Sequence, residues 1–331
     1  MDAAVIGGGS WGSAFAFHLG RLHQKILLWV REIEVYKDLQ ENRQNSVFLP
    51  GFQFPSEVAF STDIQGTASS APILFMAVPS RFCRPLFENI APVLKRHQIV
   101  VSLTKGIEEG TLKRMTEVMG EVFSRSACPR LAVLSGPSFA REVAEKLPTA
   151  VVIASEDAEA ARTIQHFISN IHFRAYTSGD VTGVELAGAL KNVIAVAAGI
   201  SDALRFGHNP RAALITRGVA EMTRLGLRCG AQKETFLGLA GIGDLVLTCT
   251  AQQSRNYHVG YELGKGRRLS EILAETKMVA EGITTTISVR DLAGREEVEM
   301  PICTEVYRVL YENKNPEESV RDLMLRALKV E

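Results

Sequence analysis

Three glycines, Gly7, Gly9 and Gly12, follow directly on an apolar run at 3–6 and open a helical segment. No other feature constrains the chain as strongly. In a GxGxxG of this kind the first glycine makes a tight turn out of a strand, the second lets backbone approach a pyrophosphate, and the third packs helix closely on strand. The helix that begins there offers unpaired N–H groups and a partial positive charge to an anion. A chain organised around such a unit is predicted to be an α/β fold, with βα alternation and a parallel sheet covered by helices on both faces.

The first half keeps that alternation. Strands are predicted at 3–6, 25–30, 73–77, 99–103 and 131–134, with 150–154 and 172–175 extending the sheet. Helices are predicted at 13–22, 81–94, 111–122 and 156–168. From Asp180 onward β-branched runs nearly vanish, and helical segments follow at 181–201, 210–225, 232–237, 270–275, 283–294, 301–312 and 316–328. At 331 residues the chain has about twice the length of a typical domain. Two domains are expected, 1–178 for nucleotide binding and 179–331 as a helical substrate-binding and catalytic domain.

Thirty-seven Lys and Arg balance thirty-seven Asp and Glu. No global field draws the chain to nucleic acid or an anionic membrane, so any anion site is local. The basic run Lys265-Gly-Arg267-Arg268 has no flanking aromatics and reads as a solvated loop. Cys83, Cys128, Cys229, Cys249 and Cys303 are odd in number and never in a CxxC spacing, which fits a reducing cytosol better than a disulfide framework or zinc knuckle. Seven histidines show no HExxH, so no metal is expected. The N-terminus lacks the pattern of a signal peptide, and the small-apolar run at 193–200 is far shorter than the ~20 residues of a membrane span. GxSxG, Walker A and Cys-His patterns are missing, which disfavours hydrolases and kinases.

Four further features carry chemistry. The second strand ends Trp29-Val30-Arg31; an arginine there either pairs with a 2′-phosphate, so that NADP(H) should be accepted, or is a solvated surface residue, while Glu32 and Glu34 keep NAD(H) open. Lys191 interrupts the small and apolar segment from Gly183 to Gly199. It is either a lysine at the helix's one wet edge or a desolvated general acid/base. Gly238-Leu-Ala-Gly-Ile-Gly-Asp244 presents one carboxylate, either a plain turn residue or the partner of Lys191. Ser254-Arg255-Asn256 suits a phosphate monoester at a starting helix, or simply caps that helix.

These pieces occur alongside Phe48-Leu-Pro-Gly51, Ala77-Val-Pro-Ser80, Thr104-Lys-Gly-Ile-Glu108, Leu134-Ser-Gly-Pro-Ser-Phe-Ala140, Glu185-Leu-Ala-Gly-Ala-Leu-Lys-Asn-Val193, Arg211-Ala-Ala-Leu-Ile-Thr-Arg217 and Leu239-Ala-Gly-Ile-Gly-Asp244. With Val5-Ile-Gly-Gly-Gly-Ser-Trp-Gly12 they extend over most of the chain, which closely resembles the bacterial-type NAD(P)-dependent glycerol-3-phosphate dehydrogenases. The resemblance implies an N-terminal Rossmann-like doubly wound sheet with a C-terminal all-α substrate domain, usually as a cytoplasmic homodimer. It implies reversible reduction of dihydroxyacetone phosphate to sn-glycerol 3-phosphate for phospholipid synthesis, with NADP(H) or NAD(H) and no metal. Carried over to this chain, Ser10, Trp11, Arg31, Lys105, Ala140, Arg255, Val279 and Glu281 join Gly7, Gly9 and Gly12 at the cofactor. Lys105, Gly136, Ser138, Lys191, Asp244, Ser254, Arg255 and Asn256 meet the substrate, with Lys191 as proton donor and acceptor and Asp244 beside it.

Two departures from the family pattern, Ala203 for a common Gly and Pro210 for a small non-proline residue, remove no chemical group. The nearest alternative is a β-hydroxyacid or ketopantoate-type reductase, which shares both halves and the lysine but has no need of Ser254-Arg255-Asn256. A non-catalytic NAD(P)-sensing protein would leave Lys191 and Asp244 incidental.

Overall fold

The strand β1 (Ala3–Ile6) is buried along its whole length. Ala3 and Val5 enter one apolar cluster with Phe15 and Phe75, while Ala4 and Ile6 enter another with Leu74, Met76 and Phe87. Successive strand side chains point to opposite faces, so such a strand is central and covered on both sides. In this computed structural model, which describes residues 1–124, 126–275, 279–328 and 330, the chain divides into two units. One comprises Met1–Lys105 and Lys113–Glu185; the other comprises Gly106–Leu112 and Leu186–Glu331.

In the first unit β1 is followed by α1 (Ser10–Gly20), β2 (Ile26–Trp29), α2 (Ile33–Asn42), a hairpin of β3 (Gln44–Asn45) and β4 (Leu49–Gln53), then β5 (Val58–Ser61) and α3 (Ile64–Ser69). The chain continues through β6 (Ile73–Met76), α4 (Cys83–Ile90), β7 (Ile99–Ser102), α5 (Met115–Phe123), β8 (Arg130–Ser135), α6 (Ala140–Ala144), β9 (Thr149–Ala154), α7 (Ala158–Ile168) and β10 (Phe173–Ser178). The sheet order is β10-β9-β8-β7-β6-β1-β2-β5. Val5 lies opposite Leu28 on one side and Phe75 on the other. The chain winds outward from β1 through β2 to β5 and returns to β6 on β1's other flank. That reversal makes the carboxyl ends of β1 and β6 the switch point where α/β folds bind ligands. Side chains of α1 and α7 cover one face; those of α3, α4 and α5 cover the other.

The expectation of a wholly parallel sheet needs correction, because β9 runs antiparallel to β8 and β10 follows β9. The connection between β8 and β9, 136–148, carries only the five-residue α6, about 8 Å long, which is too short to lie along a six-residue strand of about 20 Å as a βαβ crossover helix does. The two-stranded hairpin and the edge strand β5 lie in a stretch the sequence left without predicted elements. The predicted helix at 81–94 is divided into three short pieces, with 3₁₀ turns at Ser80–Phe82 and Ala91–Val93 flanking α4, and Leu94 is already extended.

The second unit is helical and is built around α8 (Val181–Ala203), whose first turns, through Glu185, belong to the first unit. Asp180 caps α8, its carboxylate accepting the Gly183 N–H at 2.8 Å. By length and apolarity alone α8 could cross a membrane, yet the apolar window is buried throughout by protein. The helices that follow are α9 (His208–Arg228), α10 (Lys233–Leu237), α11 (Asp244–Thr250), α12 (Arg255–Gly264), α13 (Leu269–Ala274), α14 (Glu281–Arg295), α15 (Pro301–Tyr311) and α16 (Pro316–Met324). Small residues in α8 permit backbone contact with α12. A Cβ on Gly199 would stand 2.0 Å from the Tyr257 carbonyl oxygen, and one on Gly260 2.0 Å from that of Val196. Pro210 sits in the first turn of α9, where its missing N–H costs no helical hydrogen bond.

Candidate active site

The glycine turn lies at the switch point. Gly7 adopts φ +124, and a Cβ there would be 2.4 Å from the Ala77 carbonyl oxygen just beyond β6. A Cβ on Gly12 would be 2.0 Å from the Gly7 carbonyl oxygen, so α1 starts against the turn itself. Gly9 is different, because a Cβ there would meet nothing within 4 Å. It is the N-cap of α1 and provides no side-chain cap. An open face before an uncapped helix start, with Ser10 and Trp11 as its first residues, fits a dinucleotide pyrophosphate.

Arg31, just past β2, is 65% exposed in its side chain and holds Glu32 through Nη2 at 2.7 Å and Nε at 3.1 Å. Its guanidinium lies 5.6 Å from the Phe82 ring centre. Elsewhere in the first unit, Lys105 Nζ and Ser138 Oγ both donate to the Gly136 carbonyl, at 3.0 and 2.9 Å. Lys105, Gly136 and Ser138 are thus brought together, and Ala140 opens α6 immediately downstream.

In the second unit Lys191 is 6% exposed and Asp244 1%. Lys191 Nζ donates to Asp244 Oδ1 at 2.8 Å and to Thr248 Oγ1 at 2.7 Å. The lysine is therefore interior, and the carboxylate offsets the cost of burying its charge. A π-helical turn, Leu239–Gly243, delivers Asp244 to the start of α11; such turns recur at functional sites. Burial pushes the neighbouring Cys249 thiol up to about 12 despite Lys191, so it stays protonated.

Ser254 caps α12, its Oγ accepting the Tyr257 N–H at 3.2 Å. Asn256 is turned inward: Nδ2 donates to Asn192 Oδ1 at 2.8 Å and Oδ1 accepts the Gly282 N–H at 2.9 Å, joining α8, α12 and α14. Arg255, at the head of α12, is within Coulombic reach of Glu281 at the head of α14, and Val279 lies two residues before it. Among the described residues no group of three or more His, Cys, Asp or Glu could hold a metal ion.

Thr248 and Asn192 were not among the expected site residues. Both had a weak signal: Thr248 stands one helical turn from Asp244, and Asn192 is the one other polar residue beside Lys191 in the small and apolar stretch 186–199.

A glycine turn at the switch point of a doubly wound sheet, with a lysine held by an aspartate in a helical unit, defines a nicotinamide-dependent dehydrogenase class. Comparison with known proteins narrows it. The model of the NAD-dependent glycerol-3-phosphate dehydrogenase N-terminus matches residues 2–161, and that of the C-terminus residues 180–321. A glycerol-3-phosphate dehydrogenase [NAD(P)+] of Syntrophotalea carbinolica is 48% identical over 331 residues, all of this chain and 99% of the relative. One of Syntrophobacter fumaroxidans is 51% identical over 327 residues, covering 99% and 96%. The crystal structure of a glycerol-3-phosphate dehydrogenase from Coxiella burnetii superposes with a TM-score of 0.94 at 38% identity, covering 98% of this chain and 99% of that one. The chain belongs to the NAD(P)-dependent glycerol-3-phosphate dehydrogenase family, as the sequence resemblance implied.

Proposed function

We propose that the chain reversibly reduces dihydroxyacetone phosphate to sn-glycerol 3-phosphate, with Lys191 as general acid and base. The buried Lys191–Asp244 pair supports this reading above all, since a lysine in an apolar helix and an aspartate 53 positions away share one proton-bearing contact. In reduction the Lys191 ammonium gives a proton to the alkoxide forming at the substrate's central carbon; in oxidation the neutral amine takes it back. Asp244 and Thr248 aim Nζ.

The first unit is read as the dinucleotide domain, with Gly7, Gly9, Ser10, Trp11, Gly12, Arg31, Lys105 and Ala140 at the cofactor, joined by Arg255, Val279 and Glu281. A bound nicotinamide supplies the hydride. Arg255, the Ser254 hydroxyl and the first N–H groups of α12 suit the substrate phosphate, remote from the reacting carbon, so that its binding energy fixes the carbonyl's approach. Lys105, Gly136 and Ser138 complete the substrate contacts carried by the resemblance. The Asn256 carboxamide braces three helices, so its contribution to the phosphate falls to its backbone N–H and its remaining amide hydrogen. The same reading makes the product a precursor of glycerophospholipids and the protein a cytoplasmic homodimer.

Nicotinamide absorbance with purified protein tests it, comparing dihydroxyacetone phosphate with unphosphorylated dihydroxyacetone, each with NADPH and NADH. Turnover confined to the phosphorylated ketone is expected, with kcat/KM for the other lower by at least about a hundredfold. No turnover with either ketone, in protein that still binds NADPH, would bring the ketopantoate-type reductases forward.

A further inference from the structure

Asn45, in the β3–β4 hairpin, belongs to none of the functions assigned so far, yet it is wholly buried. Its Nδ2 donates to the Gly8 carbonyl at 2.8 Å and to Ser13 Oγ at 2.8 Å, and its Oδ1 accepts the Phe48 N–H at 3.0 Å. Ser13 Oγ in turn donates to the same Gly8 carbonyl at 3.1 Å. The Phe48 N–H dictates which end of the Asn45 amide faces the glycine turn, and that end is the donor. Gly8 O is thus held by two side-chain donors.

In a trans peptide the C=O and the following N–H point in opposite directions. With Gly8 O drawn inward, the Gly9 N–H is turned outward, toward the side where a Gly9 Cβ would meet open space. That N–H has no partner among the described residues. We propose that Asn45, together with Ser13, is a positioning residue that locks the Gly8–Gly9 peptide plane so that the Gly9 N–H faces the dinucleotide pyrophosphate. The inference rests on reading the glycine turn as the dinucleotide site. A plane turned the other way would present a carbonyl oxygen to the phosphates and strip Asn45 of its acceptor. The Phe48-Leu-Pro-Gly51 stretch thereby acquires a purpose, since its first N–H orients the amide that orients the turn.

Full-length wild type, Asn45→Asp and Ser13→Ala are compared. Asn45→Asp is nearly isosteric but sets a second acceptor against Gly8 O; Ser13→Ala removes one of the two donors and leaves the core intact. Melting curves establish that each variant is folded. Displacement of NADPH, followed by its fluorescence, is titrated with ADP-ribose, which has the pyrophosphate, and with adenosine, which lacks it. ADP-ribose affinity should fall about tenfold or more in Asn45→Asp and about threefold in Ser13→Ala, with adenosine displacement unchanged in both. The KM for NADPH should rise in parallel, with kcat at saturating cofactor changing far less. Unaltered ADP-ribose affinity in a folded Asn45→Asp overturns the proposal. So does an equal loss for both probes, which would mean a loosened hairpin. If Asn45→Asp does not fold, Ser13→Ala decides alone, and no selective loss of ADP-ribose overturns the proposal. If wild type binds ADP-ribose no better than adenosine, the reading of the turn as a pyrophosphate site fails instead.

Discussion

Thr248 turns its hydroxyl hydrogen back to the Asp244 carbonyl at 2.6 Å, and so presents its oxygen to Lys191 Nζ at 2.7 Å. The Asp244 carboxylate meets the same ammonium at 2.8 Å. Two acceptors one helical turn apart on α11 therefore aim a single proton donor. The carboxylate compensates the charge; the hydroxyl, already committed as a donor, fixes direction.

Lys191→Ala should lower kcat by about 10²- to 10⁴-fold, the usual range for a lost general acid. Cofactor affinity should stay near the wild-type value. Thr248→Val keeps the charge pair but removes the second acceptor, and a loss of about tenfold in kcat is expected, the low end for a hydrogen bond to a charged group. Steady-state kinetics of dihydroxyacetone phosphate reduction checks both. Unchanged kcat in Lys191→Ala removes that residue as the acid/base.

Arg31→Asp addresses the cofactor. The Arg31–Glu32 pair is exposed, and such pairs contribute only about 0–1 kcal/mol. Glu32 therefore yields Arg31 readily to a phosphate, whose charge-assisted contacts are stronger. The substitution should weaken NADPH at least about tenfold more than NADH in fluorescence titrations. An equal effect on both would sink the 2′-phosphate role.

Gly260→Ala tests the backbone contact of α8 with α12. The added Cβ would stand 2.0 Å from the Val196 carbonyl oxygen, an atom with no freedom to swing aside. The helices must part, at a cost of roughly 1–3 kcal/mol or more. Denaturant titration measures the loss; a variant as stable as wild type would mean that the contact gives way freely.

What could be read in the sequence divides by physical cause. Strand β1 was legible to the residue, because a short apolar run ends on a glycine whose conformation only a turn requires. Lys191 was legible because a lone lysine in a helix of small apolar residues needs a reason. The reversed direction of β9 and β10 was not, since side chains alternate with the same period of two whichever way a strand runs. The edge strand Val58–Ser61 is four residues long and follows no turn signal as strong as the first. Asn45 was invisible for another reason: an asparagine before a loop is ordinary, and its partner Gly8 lies 37 positions away. Ser254 shows the opposite case, in which the plain reading as a helix cap is realised. The phosphate contact proposed for it is left to the hydroxyl hydrogen and the helix start.

Glu221 provides a pH dependence whose sign is fixed by burial. It lies inside α9, and its carboxylate accepts the N–H groups of Ile302 at 2.8 Å and Cys303 at 3.4 Å in the first turn of α15. Burial raises the carboxyl to about 7, overcoming those hydrogen bonds and the nearby Arg224, which favour the charged form. In the unfolded chain the group returns to its ordinary value of 4.5. Between these two values the folded protein holds a proton that the unfolded chain has lost. The stability contribution of Glu221 is therefore complete below about pH 4.5 and is lost as pH rises to about 7, by about 3 kcal/mol in all. Glu221→Gln has no proton to lose, and its amide oxygen can still accept one N–H. Denaturation of both proteins at about pH 5 and about pH 8 should show the variant gaining on wild type by most of that amount at the higher pH. His18, which burial holds down to about 4, gives a slope of opposite sign in an overlapping window. It is common to both proteins and cancels in the difference. A stability difference that does not change with pH would mean that Glu221 titrates in the folded protein as it does in the unfolded chain, and that α15 is capped by an ordinary carboxylate.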